Sequence, residues 1–370
     1  MQVPFVDLHA QYLTIKEEID SAIARVIRDS AYIRGPQVEA FEKAWASTVG
    51  VKHCVSCANG TDAIYIAMKG LGIKAGDEVI TTAHSWISTS ETITQAGGKV
   101  VFCDTDERTF TIDPRQIAAK ITPRTVGIIP VHFYGQAADM DAIMAIARKH
   151  KLWVIEDCAQ AHLAEYNGHQ VGTFGNAATF SFYPGKNLGA YGDAGCLVTN
   201  DDTLAEWCAT YARHGGKGEH TMEGVNSRLD GLQAAILNVK LPHLRAWTAA
   251  RHKIAAGYNT LLAGFENIQL PKVAPGCSHV YHLYVIRSGR RDDLMKHLKK
   301  ANISTVLNYP KALPFYPAYS YLGHKPDDFP NAFADQSRIL SLPIYPEMTD
   351  EMIRFVAAEI RSAGISLNIT

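Results

Sequence analysis

Thr179-Phe-Ser-Phe-Tyr-Pro-Gly-Lys-Asn-Leu-Gly-Ala-Tyr-Gly-Asp-Ala-Gly195 is the stretch on which the reading of this chain turns. Residues 179–182 alternate polar and aromatic side chains as a short strand does. Pro184-Gly185 stops that strand, and Lys186 falls on an abrupt turn followed by Gly189, Gly192 and Gly195. A lysine at a rigid strand end, among glycines that let other groups approach the backbone, is placed to act as an amine nucleophile. A solvated lysine on an ordinary surface loop is the competing reading of the same residues.

Leu152-Trp-Val-Ile-Glu-Asp-Cys-Ala-Gln160 adds the second half of a site. It is an apolar run that ends in Glu156 and Asp157, with Gln160 close behind. Parallel α/β sheets carry their functional groups at the carboxyl ends of strands. An acid there, upstream of a strand-end lysine, suits pyridoxal phosphate: the lysine amine holds the cofactor aldehyde, and the aspartate pairs with the pyridinium nitrogen. Further strand-like runs at 79–82, 100–103, 126–131 and 196–198 are separated in several places by helical patterns, such as 140–150. That alternation predicts a mostly parallel sheet with helices on both faces.

Together with Ser181, Trp86, Gly60-Thr61 and Gly224-Val-Asn-Ser-Arg228, these stretches closely resemble the DegT/DnrJ/StrS family of pyridoxal-phosphate aminotransferases, which act on nucleotide-linked keto sugars. The resemblance runs from Val3-Pro-Phe-Val-Asp-Leu8 to about Pro346. It implies the type I, aspartate-aminotransferase-like α/β fold. A large doubly wound domain with the N-terminal segment would span 1–246, and a small C-terminal α+β domain 247–370. It implies Lys186 and Asp157 as catalytic residues. The cofactor would be held by Gly60, Thr61 and the Asp62 backbone at its phosphate, with Ser181 as a hydroxyl donor there. Trp86 would stack on its face and Gln160 bond its phenolic oxygen. Asn226 would reach the phosphate from the neighbouring subunit, which makes a homodimer with shared active sites the expected assembly.

The same resemblance sets the expected reaction. Glutamate converts the pyridoxal form to pyridoxamine phosphate and leaves as 2-oxoglutarate; the amino group then passes to a sugar ketone. A lysine at position 186 favours transamination, because the family's dehydratase branch carries histidine there. The wording from Tyr183 to Gly195 looks most like the branch that aminates C3, with a dTDP-linked 3-keto-6-deoxyhexose as the leading substrate. A UDP-linked 3-keto 2-acetamido sugar or a 4-keto sugar is the alternative, and a non-catalytic homologue a further one. His162, Tyr183, Arg228, Tyr309 and Phe315 are the candidate substrate residues. Phe315 stands where many members carry histidine.

Bulk properties agree. The chain has 370 residues, 47% hydrophobic content and a net charge of −1. That length predicts more than one domain, and the charge argues against a nucleic-acid binder that relies on broad positive potential. Its N-terminus lacks the basic and apolar regions of a signal peptide, and no 18-residue apolar run follows, so a cytoplasmic enzyme off the membrane is expected. Seven dispersed cysteines do not form a disulfide framework, and Cys54-Val-Ser-Cys57 lacks the second pair of a metal site, so no metal is expected. Gly70-Leu-Gly72 and Gly76 end a helix instead of following a strand, which rules out a dinucleotide fingerprint. In the C-terminal part, strands at 280–286 and 304–307 and helices at 292–300 and 350–363 are expected. The helix beginning near Leu229 and running through Gln233 to Leu241 precedes them.

Overall fold

The computed structural model describes residues 1–216 and 218–366; the last residues of the expected C-terminal domain lie outside them. Seven strands form the central sheet in the spatial order His53–Cys57, Gly195–Thr199, Ala177–Ser181, Trp153–Asp157, Thr125–Ile129, Glu78–Thr82 and Lys99–Cys103. All run parallel except Gly195–Thr199, which is antiparallel to both of its neighbours. Glu78–Thr82 and Gly195–Thr199 are buried at every position. Strands covered on both faces read as continuous rather than alternating apolar runs, which is the pattern of a doubly wound sheet.

Two cores sit on opposite faces. On one, Val154, Ala178, Phe180 and Phe182 pack against Phe41, Trp45, Ile143 and Leu237 of the covering helices Pro36–Val49, Met140–His150 and Gly231–Lys240. On the other, Ile155, Ala177 and Leu197 pack against Ile64, Met68, Ile93 and Leu204 of helices Gly60–Gly70, Ser88–Gln95 and Asp202–Tyr211. The strand pleat sends successive side chains to opposite faces. In Trp153–Asp157 it therefore commits Glu156 to the first face and Asp157 to the second.

A third core gathers Tyr258, Tyr284, Leu298, Leu342, Val356 and Ile360 around a two-stranded antiparallel sheet, Tyr284–Arg287 with Ile339–Leu342. The partner strand differs from the expected one. Residues 304–307 contribute only an isolated bridge, Val306 to Ser341. Ile339–Leu342, hidden in a proline-rich stretch, takes the place because all four of its side chains are buried. Val3, grouped with the large domain in the sequence reading, is fully buried in this core and bridges Ile303. Position 247 falls within one unbroken helix, Leu244–Leu261.

A buried ion pair ties this small sheet to the rest. Arg287 Nε and Nη2 donate to the Asp335 carboxylate at 2.6 and 2.8 Å, and the guanidinium lies 3.6 Å over the Phe110 ring. Removing one partner of such a pair strands the other charge in the interior. Arg287→Ala is expected to lower the unfolding free energy by about 3–5 kcal/mol, measured as a shift of the urea midpoint. A loss below about 1 kcal/mol would show that the pair is dispensable.

Candidate active site

The carboxyl ends of the central strands open into a cavity of about 400 Å³ lined by Gly60, Thr61, Trp86, Asp157, Gln160, Ser181, Tyr183, Lys186 and Tyr309, among others. Lys186 lies on the turn after strand Ala177–Ser181, its N–H donating to the Tyr183 carbonyl at 2.8 Å. Desolvation of the half-buried amine lowers its pKa to about 8, while the negative charge of Asp157 opposes that shift. The sign is that of a cation losing water: below about 8 the ammonium persists, and above it the amine is a free nucleophile. In the cofactor-free protein, the rate at which Lys186 is alkylated by an aldehyde with borohydride should rise about tenfold per pH unit and level off near 8. Peptide mass spectrometry of the labelled protein would read this. A rate still climbing towards 10.5 would mean an ordinary, solvated lysine.

Asp157 closes the opposite wall. Its Oδ2 accepts the Thr89 hydroxyl at 2.8 Å and its Oδ1 the Ala159 N–H at 3.1 Å, so the carboxylate is aimed and cannot swing away. Its neighbour Glu156 has a different job. It is fully buried on the far face, accepting N–H groups of Gly172, Phe174 and Gly175 at 2.8 Å each and pairing with His132 at 2.9 Å. His132 Nδ1 accepts the Ala138 N–H at 3.0 Å, which leaves Nε2–H to donate to Glu156. His132 thus belongs to the core.

An anion cup lies beside the lysine. Asn59, not Thr61, caps helix Gly60–Gly70, its Oδ1 accepting the Asp62 N–H at 2.8 Å. The Asp62 amide is therefore already engaged, and its carboxylate accepts the Ser227 hydroxyl at 2.6 Å. The Gly60 and Thr61 amides, with no acceptor among the described residues, are the ones free to bind an anion at this helix start. Thr61 Oγ1 bonds Ser88 Oγ at 2.7 Å, and Ser181 comes close enough that a Cβ on Gly60 would sit 2.7 Å from the Ser181 Cβ. A Cβ on Gly195 would meet the Asn59 carbonyl carbon at 2.3 Å. Only glycine permits either approach.

Trp86 is 55% exposed, with its ring 5.2 Å from that of Tyr309 across the cavity mouth. Gln160 accepts the Tyr134 N–H at 2.8 Å and donates to the Tyr309 hydroxyl at 3.2 Å, so its amide is oriented from both ends. Tyr183 is exposed at the rim. Two expected lining residues lie elsewhere. His162 is fully buried on the opposite face of the sheet, with ring centroids of Trp45, Phe180 and Phe182 each 5.6 Å away. Burial, reinforced by the Lys186 charge, lowers its pKa to about 3. Phe315 packs on Phe329 and Phe333 in the second core, away from the cavity. Asn226 and Arg228 are also absent from this lining; Asn226 is exposed in a bridge with Arg213.

Sequence reading missed Asn59, Thr89 and Asp193. An asparagine directly before a helix is a capping signal and could have found the first. Thr89 sits far from Asp157 in sequence, in a polar helix whose small hydroxyl residues face inward; spacing carries no trace of that contact. Asp193 lines the cavity from the glycine-rich segment.

A model of the DegT/DnrJ/EryC1/StrS aminotransferase family matches residues 13–361. The chain is 48% identical over 364 residues to a pleiotropic regulatory protein of Geobacillus stearothermophilus, covering 97% of this chain and 98% of that one. It is 42% identical to the dTDP-3-amino-3,4,6-trideoxy-alpha-D-glucose transaminase of Streptomyces venezuelae, covering 94% and 92%. It is also 42% identical to the UDP-2-acetamido-2-deoxy-3-oxo-D-glucuronate aminotransferase of Pseudomonas aeruginosa, covering 97% and 99%. The crystal structure of S. venezuelae DesV in complex with a ketimine intermediate superposes with a TM-score of 0.95 at 41% identity, over 98% of both chains. The chain is a member of the DegT/DnrJ/EryC1/StrS aminotransferase family.

Proposed function

We propose that the protein transfers the amino group of glutamate to the C3 ketone of a nucleotide-linked hexose, with pyridoxal 5′-phosphate carried on Lys186. The observation that carries this reading is the convergence, in one cavity, of the Lys186 amine, the Asp157 carboxylate and the Gly60–Thr61–Ser181 anion cup. The cradle fits the cofactor: two free amides and two hydroxyls for a phosphate, a fixed carboxylate for a ring nitrogen, an indole face for the ring and an amine for the aldehyde. When bound, the cofactor supplies an aldehyde that takes up the amino group and a ring that accepts electrons from the donor's Cα, alternating between pyridoxal and pyridoxamine forms.

The chain's own residues do the rest. Lys186 anchors the cofactor and, once released, moves the proton from the donor's Cα to the cofactor carbon, then runs the reverse with the sugar. Asp157, held by Thr89 and the Ala159 amide, would pair with the ring nitrogen of the bound cofactor and favour its protonated form. Gln160 would meet the phenolic oxygen of the cofactor, and Trp86 would stack on its ring. Gly60→Ala should push the helix start from Ser181 and lower cofactor affinity at least about tenfold, since each hydrogen bond to a charged group is worth about 1.5–3 kcal/mol. Titration of cofactor-free protein would measure this; unchanged affinity would place the phosphate elsewhere.

Lys186 is the sole cation lining the cavity among the described residues, too little for a nucleotide diphosphate. In our reading the balance comes from a second copy, through exposed Asn226 and half-buried Arg228, in a homodimer with shared sites. The dTDP-linked 3-keto-6-deoxyhexose remains the leading acceptor. The name of the P. aeruginosa relative favours a UDP-linked 3-oxo 2-acetamido sugar as the second reading. A cytoplasmic role in amino sugars for surface polysaccharide or glycosylated metabolites belongs to this proposal, as does the division at 246/247.

The test is the visible band of the lysine-bound cofactor. Glutamate should bleach it, and one member of a panel of dTDP- and UDP-linked 3-keto and 4-keto sugars should restore it. No bleaching would support a regulatory or dehydratase homologue and sink the aminotransferase reading.

A further inference from the structure

Helix Gly231–Lys240 buries a lysine that the chemistry above does not use. Lys240 is 1% exposed, and its ammonium donates to the Gly189 carbonyl at 2.6 Å beneath the rings of Tyr191 at 4.9 Å and Trp247 at 5.9 Å. Among the described residues no carboxylate lies within ion-pair distance of it. An ammonium withdrawn from water with only the longer-range attraction of Glu347 is costly, and cation–π contacts recover only part of that cost. A Leu or Met in its place would remove the charge but leave the buried Gly189 carbonyl without a donor. The charge therefore serves that carbonyl.

Gly189 belongs to the turn that presents Lys186. The chain doubles back so tightly that a Cβ on Gly189 would lie 2.3 Å from the Pro184 carbonyl oxygen. Ala190, in the middle of the returning stretch, is tied to the strand, its N–H donating to the Phe182 carbonyl at 2.8 Å. The residues on either side of it are tied to the helix. Lys240 holds Gly189, and Gln233, two turns earlier on the same helix face, accepts the Tyr191 N–H at 2.9 Å.

We propose that Lys240 is a positioning residue for Lys186: with Gln233 it clamps the Gly189–Tyr191 stretch onto the helix and so fixes where the Lys186 amine enters the cavity. The proposal rests on the reading that Lys186 carries the cofactor. A rigid turn matters because displacement of a reacting group by about 1 Å costs on the order of 10²-fold in rate.

The test compares Lys240→Met, Lys240→Arg and Gln233→Leu with wild type. In cofactor-free protein, amide exchange over residues 186–192 should accelerate at least about tenfold in Lys240→Met while other peptides keep their protection. In the holoenzyme, kcat for the glutamate half-reaction should fall about 10- to 100-fold, with the KM for nucleotide sugar within about twofold. Lys240→Arg should recover part of both, and Gln233→Leu should show the same pattern more weakly. Wild-type exchange and kcat in Lys240→Met would overturn the proposal. So would protection lost evenly along the chain with no recovery by arginine, the mark of general core damage. If Lys240→Met does not fold, half-buried Gln233→Leu decides alone: no local gain in exchange there rejects the clamp. Borohydride trapping of the cofactor on another lysine in wild type would overturn the underlying reading, and the exchange experiment would still decide whether Lys240 holds the turn.

Discussion

Lys186→Ala is expected to reduce the glutamate half-reaction by about 10⁴-fold, the upper end of what one positioned proton-transfer group contributes. On the proposed reading the effect should be that large because the amine has two duties and no substitute among the described lining residues. Among the described residues lining the cavity it is the sole amine. Its pKa of about 8 gives it a usable free-base fraction near neutrality, and an ordinary lysine at 10.5 would hold several hundredfold less. Rapid mixing of cofactor-loaded variant with glutamate, followed at the cofactor band, measures the loss. The variant should still bind the cofactor through the phosphate cup, so that binding survives while chemistry fails. A variant within about tenfold of wild type would show that another group moves the proton, and the assignment of Lys186 would fall.

Asp157→Asn is expected to slow the same step by about 10²–10³-fold with nearly unchanged cofactor affinity. An amide matches the carboxylate in shape and can keep both contacts, to Thr89 and to the Ala159 amide, so the geometry is held while the charge is removed. Without that charge the ring nitrogen would lose the carboxylate held in place by Thr89 and the Ala159 amide, and Asp193 would be the remaining acid among the described lining residues. Thr89→Val, which frees the carboxylate without neutralising it, should cost only about tenfold. The ordering of the two variants distinguishes charge from orientation: equal losses would mean that Asp157 acts through placement alone.

These expectations depend on a site only partly legible in one dimension. Glu156 and Asp157 are adjacent and chemically alike. Their difference in role follows from the pleat, which hands Asp157 to the cavity and Glu156 to a set of buried N–H donors and His132. The family resemblance makes His162, two residues past Gln160, a candidate lining residue. The chain bends after Gln160, and the imidazole ends under the sheet among Trp45, Phe180 and Phe182. Phe315 is a substrate candidate only by resemblance, standing where many family members carry histidine, yet a short 3-10 turn, Leu313–Phe315, packs it into the second core.

The sequence by itself determined the architecture and the chemistry of this protein. Apolar runs at strand length, capping residues and the turn around Lys186 act over a few residues, so period and punctuation reveal them without knowledge of the fold. Only the tertiary structure decided which neighbours serve that chemistry. Thr89 holding Asp157, Ser227 meeting the Asp62 carboxylate, and Lys240 gripping Gly189 are contacts set by packing distant elements together. Their partners are chosen by where side chains land in space, which no local pattern encodes.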